Sequence, residues 1–473
     1  MTPGNEYDAV VLGGGPNGLA AAIVMAQAGK SVAVFEANDT IGGGVRSGEL
    51  TLPGFVHDLC SSVYPLAIGS PFFRSLPLSQ HGLEWIEPPA ALAHPFDDGS
   101  ALIVERSVEA TAAKLASDSA AYQKLFGPLC TDWDSLSVDL LAPPRWPNRP
   151  IKFARFGLAA LQPARRFAER RFNEARTKAL FAGLAAHSML PLETWGSAAF
   201  GLVLGVAAHV VGWPIVRGGA QRLADALCSY LRSLGGKIFL DHPVQTLAEL
   251  PSSRIVLCDV TPRQLVKIAG PRLPSWYRDK LKKYRYGMSA FKLDWALSAA
   301  VPWSARECGR AATVHLGGSL SEIASSERMA WRGFHADKPF VLLVQPSLFD
   351  DSRAPAGKHT LWAYCHVPHG SDFEMTERIE SQIERFAPGF RATILARHVS
   401  TPTELQRRNA NLVGGDINGG APTLRQLFFR PTRQMYSTPS PGLYICSSST
   451  PPGGGVHGVC GYYAACMALR QMM

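Results

Sequence analysis

Thiol pairs are missing from this chain. Its nine cysteines are scattered through 473 residues, odd in number and with no CxxC spacing, which argues against both a disulfide framework and a zinc site. The amino end lacks a basic stretch followed by an apolar core, so no secretory signal is expected and a reduced, cytoplasmic compartment is the default. Internal repeats, low-complexity tracts and metal-ligand spacings are also absent. So are HExxH, GxSxG and paired Cys–His motifs, which leaves no motif for hydrolysis. Charge is sparse, at 18% of residues against 46% hydrophobic, a globular balance that excludes long disorder or a fibrous architecture. The length amounts to about three domains' worth at ~150 residues each. Such a chain can bury ~75% of its unfolded surface without a disulfide or metal staple.

Excess charge of one sign is confined to one place. The formal net charge is +9, yet residues 145–178 alone hold ten basic residues against two acids, Glu169 and Glu174. The rest is close to neutral, so a generally basic nucleic-acid binder is excluded. That stretch mixes arginine pairs with Trp146, Phe153, Phe156, Phe167 and Phe172. Two readings stand open: an interfacial helix on anionic lipid, giving peripheral membrane contact, or a solvated basic helix whose aromatics face the core. Residues 198–216 carry no formal charge over nineteen positions, long enough in principle to span ~30 Å of hydrocarbon. Gly201, Gly205, His209, Gly212 and Pro214 favour instead a buried helix and turn lining an apolar cavity.

What is present is concentrated at the two ends. Residues 7–12 (YDAVVL) read as a buried parallel strand. Gly13, Gly15, Pro16 and Gly18 lie in a GxGxxG turn, an alanine-rich helix follows over 19–28, and a second apolar run over 31–35 stops at Glu36. Gly13 permits the turn, Gly15 lets backbone approach a pyrophosphate and Gly18 lets helix and strand pack closely. The helix start supplies free N–H groups and a positive dipole end for phosphates. Glu36 is placed to accept from ribose hydroxyls, and its charge would repel a 2′-phosphate. The spacing predicts dinucleotide binding. Near the other end, residues 442–448 read as a strand, and Gly453, Gly455 and Gly458 repeat the glycine pattern before an apolar helix at 459–472. No further strand or acid follows, so this is a glycine loop delivering a helix start to an anionic target.

Gly42, Gly43, Val45 and Arg46 complete a fingerprint–acid–GG–Arg order that resembles the long FAD motif of the flavin amine oxidase and phytoene desaturase superfamily. The segment SSSTPPGGGVHGVCGYYAA, together with residues 54–58, 217–219, 360–368 and 414–420, resembles its phytoene desaturase and carotenoid isomerase-like branch, the phytoene-dehydrogenase-related, pyridine nucleotide-disulfide oxidoreductase domain-containing proteins. The resemblance spans nearly the whole chain. It implies an α/β fold with a discontinuous Rossmann-type FAD-binding domain (1–80, 212–285 and 430–473) and a mixed-sheet plus helical substrate domain (81–211 and 286–429). It also implies that Gly42, Gly43 and Arg46 lie against the FAD pyrophosphate and that Val244 meets adenine through its backbone. Gly455, Val456, Gly458 and Val459 would bring the last helix to the flavin.

The implied activity is FAD-dependent desaturation, or redox-neutral isomerisation, of a largely apolar small molecule by hydride transfer. An oxygen-dependent amine or amino-acid oxidase and a flavin-stabilised protein without turnover are the alternatives. His457, in the glycine loop, and His366, in the aromatic run WAYCH, are the candidates for moving a proton. Residues 85–95 and 101–105 are expected to form a hairpin about 97–100, and a helix is expected at about 372–386.

Overall fold

The computed structural model describes residues 6–472, so residues 1–5 of the segment 1–80 and Met473 lie outside the described residues. In chain order come β1 (Tyr7–Leu12), α1 (Pro16–Gln27) and β2 (Val32–Phe35), then a hairpin of β3 (Ala90–Pro95) and β4 (Ala101–Val104). Four helices follow, α2 (Pro150–Ala160), α3 (Ala164–Arg171), α4 (Ala175–Ala186) and α5 (Ala198–Val210). Next are α6 (Gln221–Ser233), β5 (Lys237–Phe239), β6 (Ser253–Cys258), β7 (Ser289–Leu297) and β8 (Ala311–Leu316). The remainder is α7 (Leu320–Trp331), β9 (Val341–Val344), β10 (His359–Val367), α8 (Thr376–Phe386), β11 (Ile394–Ser400), β12 (Leu443–Ile445) and α9 (Val459–Met472). Further helices, the longest at Ser119–Thr131, short helical turns and two small ribbons lie between them.

Two sheets result. The first is parallel, in the order β12-β6-β1-β2-β5. Apart from the exposed edge strand β5, its strands are largely apolar runs, as a sheet covered on both faces requires. Helix α1 is buried from Asn17 to Ala26, because sheet, α6 and α9 enclose an alanine-rich sequence on all sides. Two glycines let it approach its neighbours. A Cβ on Gly18 would run into the carbonyl oxygen of Gly13, and one on Gly461 into that of Asn17. The carboxyl-terminal helix therefore lies backbone to backbone against the first one.

The second sheet is mixed, in the order β11-β7-β10-β9-β8-β3-β4, antiparallel except where β3 joins β8. One face packs Phe291, Leu293 and Trp295 under Ile379, Ile383 and Phe386 of α8. The other meets the helical layer at its β3–β4 edge and leaves a cavity at its centre. The expected hairpin is shorter than its sequence pattern suggests. Trp85 and Ile86 pair instead with Val216 and Ile215, and Ala90–Pro95 alone pairs with Ala101–Val104.

Residues 145–178 do not form one helix. An extended lead, α2, α3 and the start of α4 share the stretch, and Phe156, Phe167 and Phe172 are buried in the helical core. Residues 198–216 form α5 and a turn at Gly212, whose left-handed φ of +76° leads into Ile215 and Val216. Among the described residues no helix is long and apolar enough to cross a membrane. The nine cysteines are all free.

A buried ion cluster ties together segments that the sequence left without a role. Arg353, fully buried, donates to both oxygens of Asp58 at 3.1 and 3.0 Å and to Asp350 at 2.9 Å. Asp58 also accepts from the Ala220 N–H at 2.8 Å, and Asp350 from the Gly218 N–H at 2.8 Å. Residues 54–58 and 217–219 are thus two sides of one charge-satisfied joint. Removing one partner would strand an uncompensated buried charge.

The Gly461 contact has a checkable consequence. In an ordinary helix Gly→Ala gains ~1 kcal/mol of propensity. Here Gly461→Ala should instead cost ~1–3 kcal/mol by overpacking and lower Tm by several degrees in thermal unfolding followed by circular dichroism. An unchanged or raised Tm would show that α1 and α9 have room to separate.

Candidate active site

Between the two sheets lies a cavity of about 590 Å³. Its inner wall comes from both ends of the chain: Gly13, Gly15, Pro16, Glu36 and Gly43 on one side, Gly455 and Val456 on the other, with Val244 near the Glu36 end. Two backbone turns touch there. Gly43 adopts a left-handed φ of +54°, and a Cβ on it would lie 3.0 Å from the Gly15 Cα. A Cβ on Gly15 would in turn sit 2.8 Å from the Asp259 carboxylate. The turns leave a groove of bare backbone that side chains would fill. At the start of α1 Pro16 has no N–H and Asp259 takes the Gly18 N–H at 2.9 Å, which leaves the Asn17 N–H for an anion. Buried Asn17 Oδ1 and Asn418 Nδ2 on the same cavity have no partner.

Glu36 is buried and fixed by backbone. Its Oε2 accepts from the Gly14 N–H at 2.7 Å and its Oε1 from Asn38, by N–H at 3.0 Å and by side chain at 2.6 Å. An extended dinucleotide fits this wall: an acid at one end, naked backbone and a helix start in the middle, and the 453–458 loop at the other end. Buried Arg430 lies against Gly453 of this loop and donates to the carbonyls of Asn418 and Gly419 at 3.3 and 3.2 Å. The Ser70 hydroxyl donates to the His457 carbonyl at 2.7 Å.

Several residues singled out from sequence stand behind the wall rather than on it. Gly18 and Gly42 shape the turns. Gly458 makes room for Phe73, and Val459 opens α9. Arg46, which the resemblance would set against a pyrophosphate, donates to the carbonyls of Gly43 at 3.2 Å and Arg408 at 2.6 Å and so braces the glycine turn. His457 does not line the cavity either. Its Nδ1 accepts from the Val459 N–H at 3.2 Å, which caps α9, and burial pushes its pKa down to about 4. His366 does not line the cavity; its Nδ1 lies 2.7 Å from Glu327 and both side chains are fully buried.

The outer wall joins Leu204 and Trp213, from the 198–216 segment expected to line an apolar cavity, to groups that sequence reasoning missed. His187, Leu204, Trp213, Thr313, Trp362 and Tyr364 face the cavity. His187 Nε2 lies 3.0 Å from His315 Nε2, and burial pushes the His187 pKa down to about 3, so the pair is uncharged near neutrality. Beside Trp362 on the same face of the sheet, the Lys292 Nζ lies 5.3 Å from the ring centroid and 2.5 Å from both Asp294 oxygens. The one usable signal was the alternation of Trp362, Tyr364 and His366 along β10, which puts all three on one face. His187 follows a helix with no pattern of its own. Among the described residues, no group of His, Cys, Asp and Glu could hold a metal ion.

Comparisons with known proteins agree with this geometry. The family model described as flavin containing amine oxidoreductase matches residues 17–266. The pyridine nucleotide-disulfide oxidoreductase domain-containing protein 2 of Rattus norvegicus is 26% identical over 560 residues, covering 99% of this chain and 94% of its own. The phytoene desaturase (neurosporene-forming) of Rhodobacter capsulatus is 26% identical over 273 residues, covering 52% and 51%. The solved structure of wild-type putrescine oxidase bound to putrescine shares the fold at TM-score 0.64 and 18% identity, covering 98% and 99%.

Asp259 gives this site a pH signature. It ends β6 under the glycine turn, and its Oδ2 accepts from the Gly18 N–H at 2.9 Å. Burial, reinforced by the Glu36 charge, raises its pKa from 3.8 to about 7. The folded state therefore keeps this proton to about pH 7 while the unfolded chain releases it near 3.8. The folded state binds more protons in that window, so the group's contribution to stability falls as pH rises through it and levels off above. Asp259→Asn can still accept from Gly18 but cannot ionise. In FAD-free protein its Tm relative to wild type should rise steadily between pH 4 and 7, and a flat difference would reject the assignment.

Proposed function

The chain belongs to the flavin containing amine oxidoreductase family and its cofactor is FAD; from that premise we propose that it desaturates, or isomerises through a redox-neutral cycle, a largely apolar small molecule. One observation carries the reading. The cavity joins a dinucleotide-shaped wall, built from both chain ends, to an outer wall whose side chains are neutral. In this proposal residues 1–80, 212–285 and 430–473 form the cofactor-binding part, and 81–211 with 286–429 form the substrate part. Glu36 would take the ribose, Val244 the adenine, and the start of α1 with Gly13, Gly15, Pro16 and Gly43 the diphosphate. Gly18, Gly42 and Arg46 would act by holding that backbone in shape. Gly455 and Val456 would face the ring, with Gly458 and Val459 setting the start of α9 behind them.

Bound FAD supplies a two-electron acceptor for a hydride leaving a C–H bond. The protein's part is to hold that bond in place and exclude water. Leu204, Trp213, Leu342 and Val344 give the outer wall an apolar surface, and the uncharged His187 is the one imidazole on it. His457 and His366 are left with positioning roles, one capping α9 and the other paired with Glu327.

Amine oxidation, suggested by the fold shared with putrescine oxidase, fits less well. The acids on the cavity are Glu36 and Asp259, both on the dinucleotide side, so an ammonium group would find no carboxylate on the outer wall. The rings of Trp362 and Tyr364 are stacked with centroids 5.8 Å apart, too close to admit a substrate between them. Purified protein should be yellow, and its flavin absorbance should bleach without oxygen on addition of a neutral unsaturated or alicyclic substrate, with no peroxide released in air. Bleaching by primary amines with stoichiometric hydrogen peroxide would overturn the proposal.

We also propose peripheral contact with anionic lipid through residues 145–161. Trp146, Ile151 and Leu158 are 84, 79 and 74% exposed. Ile151 and Leu158 are two turns apart on one side of α2, and the exposed Arg149 and Arg155 flank them. Each cation near such a surface adds ~1 kcal/mol. The protein should sediment with phosphatidylglycerol vesicles and not with phosphatidylcholine. Replacing Trp146, Ile151 and Leu158 together by serine should abolish this, and equal sedimentation of the triple variant would refute the contact.

A further inference from the structure

The outer end of the cavity is a small chamber whose floor is a patch of the second sheet. Thr313 on β8, Val344 on β9 and Trp362 on β10 stand opposite one another in one row. Leu342 and Tyr364 form the next row on the same face, because side chains alternate along a strand. Three strands by two rows span roughly 10 by 7 Å between Cα positions. Leu204 of α5 and Trp213 just after it come from the helical layer opposite. The floor is bounded by packed side chains. Past Tyr364 on β10, His366 is held by Glu327 and lies beside Phe340, itself 1% exposed. Ile215 and Phe349 pack with Val344 and Trp362. On the β7 side, Lys292 and Asp294 stand opposite Tyr364 and Trp362 and are locked in an ion pair. On β8, His315 lies under α4, where a Cβ on Gly183 would come within 2.7 Å of its Nδ1.

The cavity meets solvent at its other end, where Ala37, Pro243, Gln245 and Lys267 are exposed beside the dinucleotide wall. Leu204, Trp213, Leu342, Val344 and Trp362 are each less than a tenth exposed, so the chamber is narrow as well as closed. Volume sets the same limit. The whole cavity measures about 590 Å³, a size that one drug-sized ligand fills, and it must take both a dinucleotide and a substrate. Protein interiors are close-packed and yield little. A long molecule would have to push aside the buried rows around the floor, with the cost of overpacking.

We propose that the substrate is a compact alicyclic molecule, roughly the size of one or two fused rings, enclosed whole in this chamber, and not an extended polyene or a long acyl chain. This rests on the reading of the outer wall as the substrate side. Leu204 and Val344, facing each other's elements across the chamber, set the length that fits, so they are specificity-determining residues.

The test uses FAD-loaded protein and neutral cyclohexanones bearing a methyl, butyl, octyl or dodecyl tail, with affinity read from the shift of the flavin absorbance bands. Burial of apolar area alone would make every longer tail bind more tightly. In a closed chamber the methyl and butyl members should instead bind at least about tenfold more tightly than the octyl and dodecyl members. Val344→Ala on the floor and Leu204→Ala opposite it should each move the limit outward, so that the octyl member gains on the butyl one by roughly threefold or more. Val344→Phe should move it inward, weakening the butyl member relative to the methyl one. Affinity that climbs through the dodecyl member, no binding of any probe, or a limit that stays fixed in every variant that loads flavin would each overturn the inference. Wild-type protein that takes up no flavin would instead defeat the functional reading beneath it, so the two failures are told apart by colour.

Discussion

The close approach of α1 and α9 is the constraint on which the rest depends. An alanine-rich helix pressed backbone to backbone against a second helix fixes where the 453–458 loop must sit, and with it the second half of the cavity's inner wall. Were either Gly18 or Gly461 a larger residue, the helix would move off its strand or off its partner. The groove beside Gly15 would then open to solvent. The glycines work as a set: each permits one short distance, and together those distances define the space for the cofactor.

The dinucleotide wall was legible in the sequence because its parts are local. A glycine turn between strand and helix, an acid after the next strand and a glycine loop before the last helix each specify geometry over a few residues. The bonds that Arg46 makes were not legible for the same reason. Its neighbours in sequence pointed to a phosphate, but its hydrogen-bonding partner Arg408 lies far along the chain, and no local rule brings that carbonyl near. The hairpin at 85–95 overreached in the same way, since Trp85 and Ile86 found a strand partner at 215–216.

The outer wall was not legible because it is assembled across strands. Thr313, Val344 and Trp362 come from three strands of the second sheet and acquire meaning only through register. The buried cluster at Arg353 is similar: residues 54–58 and 217–219 look like unrelated motifs until one guanidinium bridges Asp58 and Asp350, whose other bonds reach the backbone of both. Among histidines, the ones in suggestive sequence contexts proved to be packed and bonded, while His187 had no context and reached the cavity. The charges buried at Arg353 and Lys292 are paired with carboxylates outside the cavity lining, which leaves the outer wall neutral.

The parallel sheet also dictates a timetable. Strands β1 and β2 leave the ribosome early, whereas β12 and α9 follow more than four hundred residues later. At ~5–20 residues per second, roughly twenty seconds to a minute and a half pass in between. For that interval α1, apolar on nearly every side, lacks one of its covers, and the nascent chain needs a chaperone or early-folding neighbours to shield it. The wall on the 453–458 side is complete only once α9 has docked, so the fold places enclosure of the flavin late in assembly.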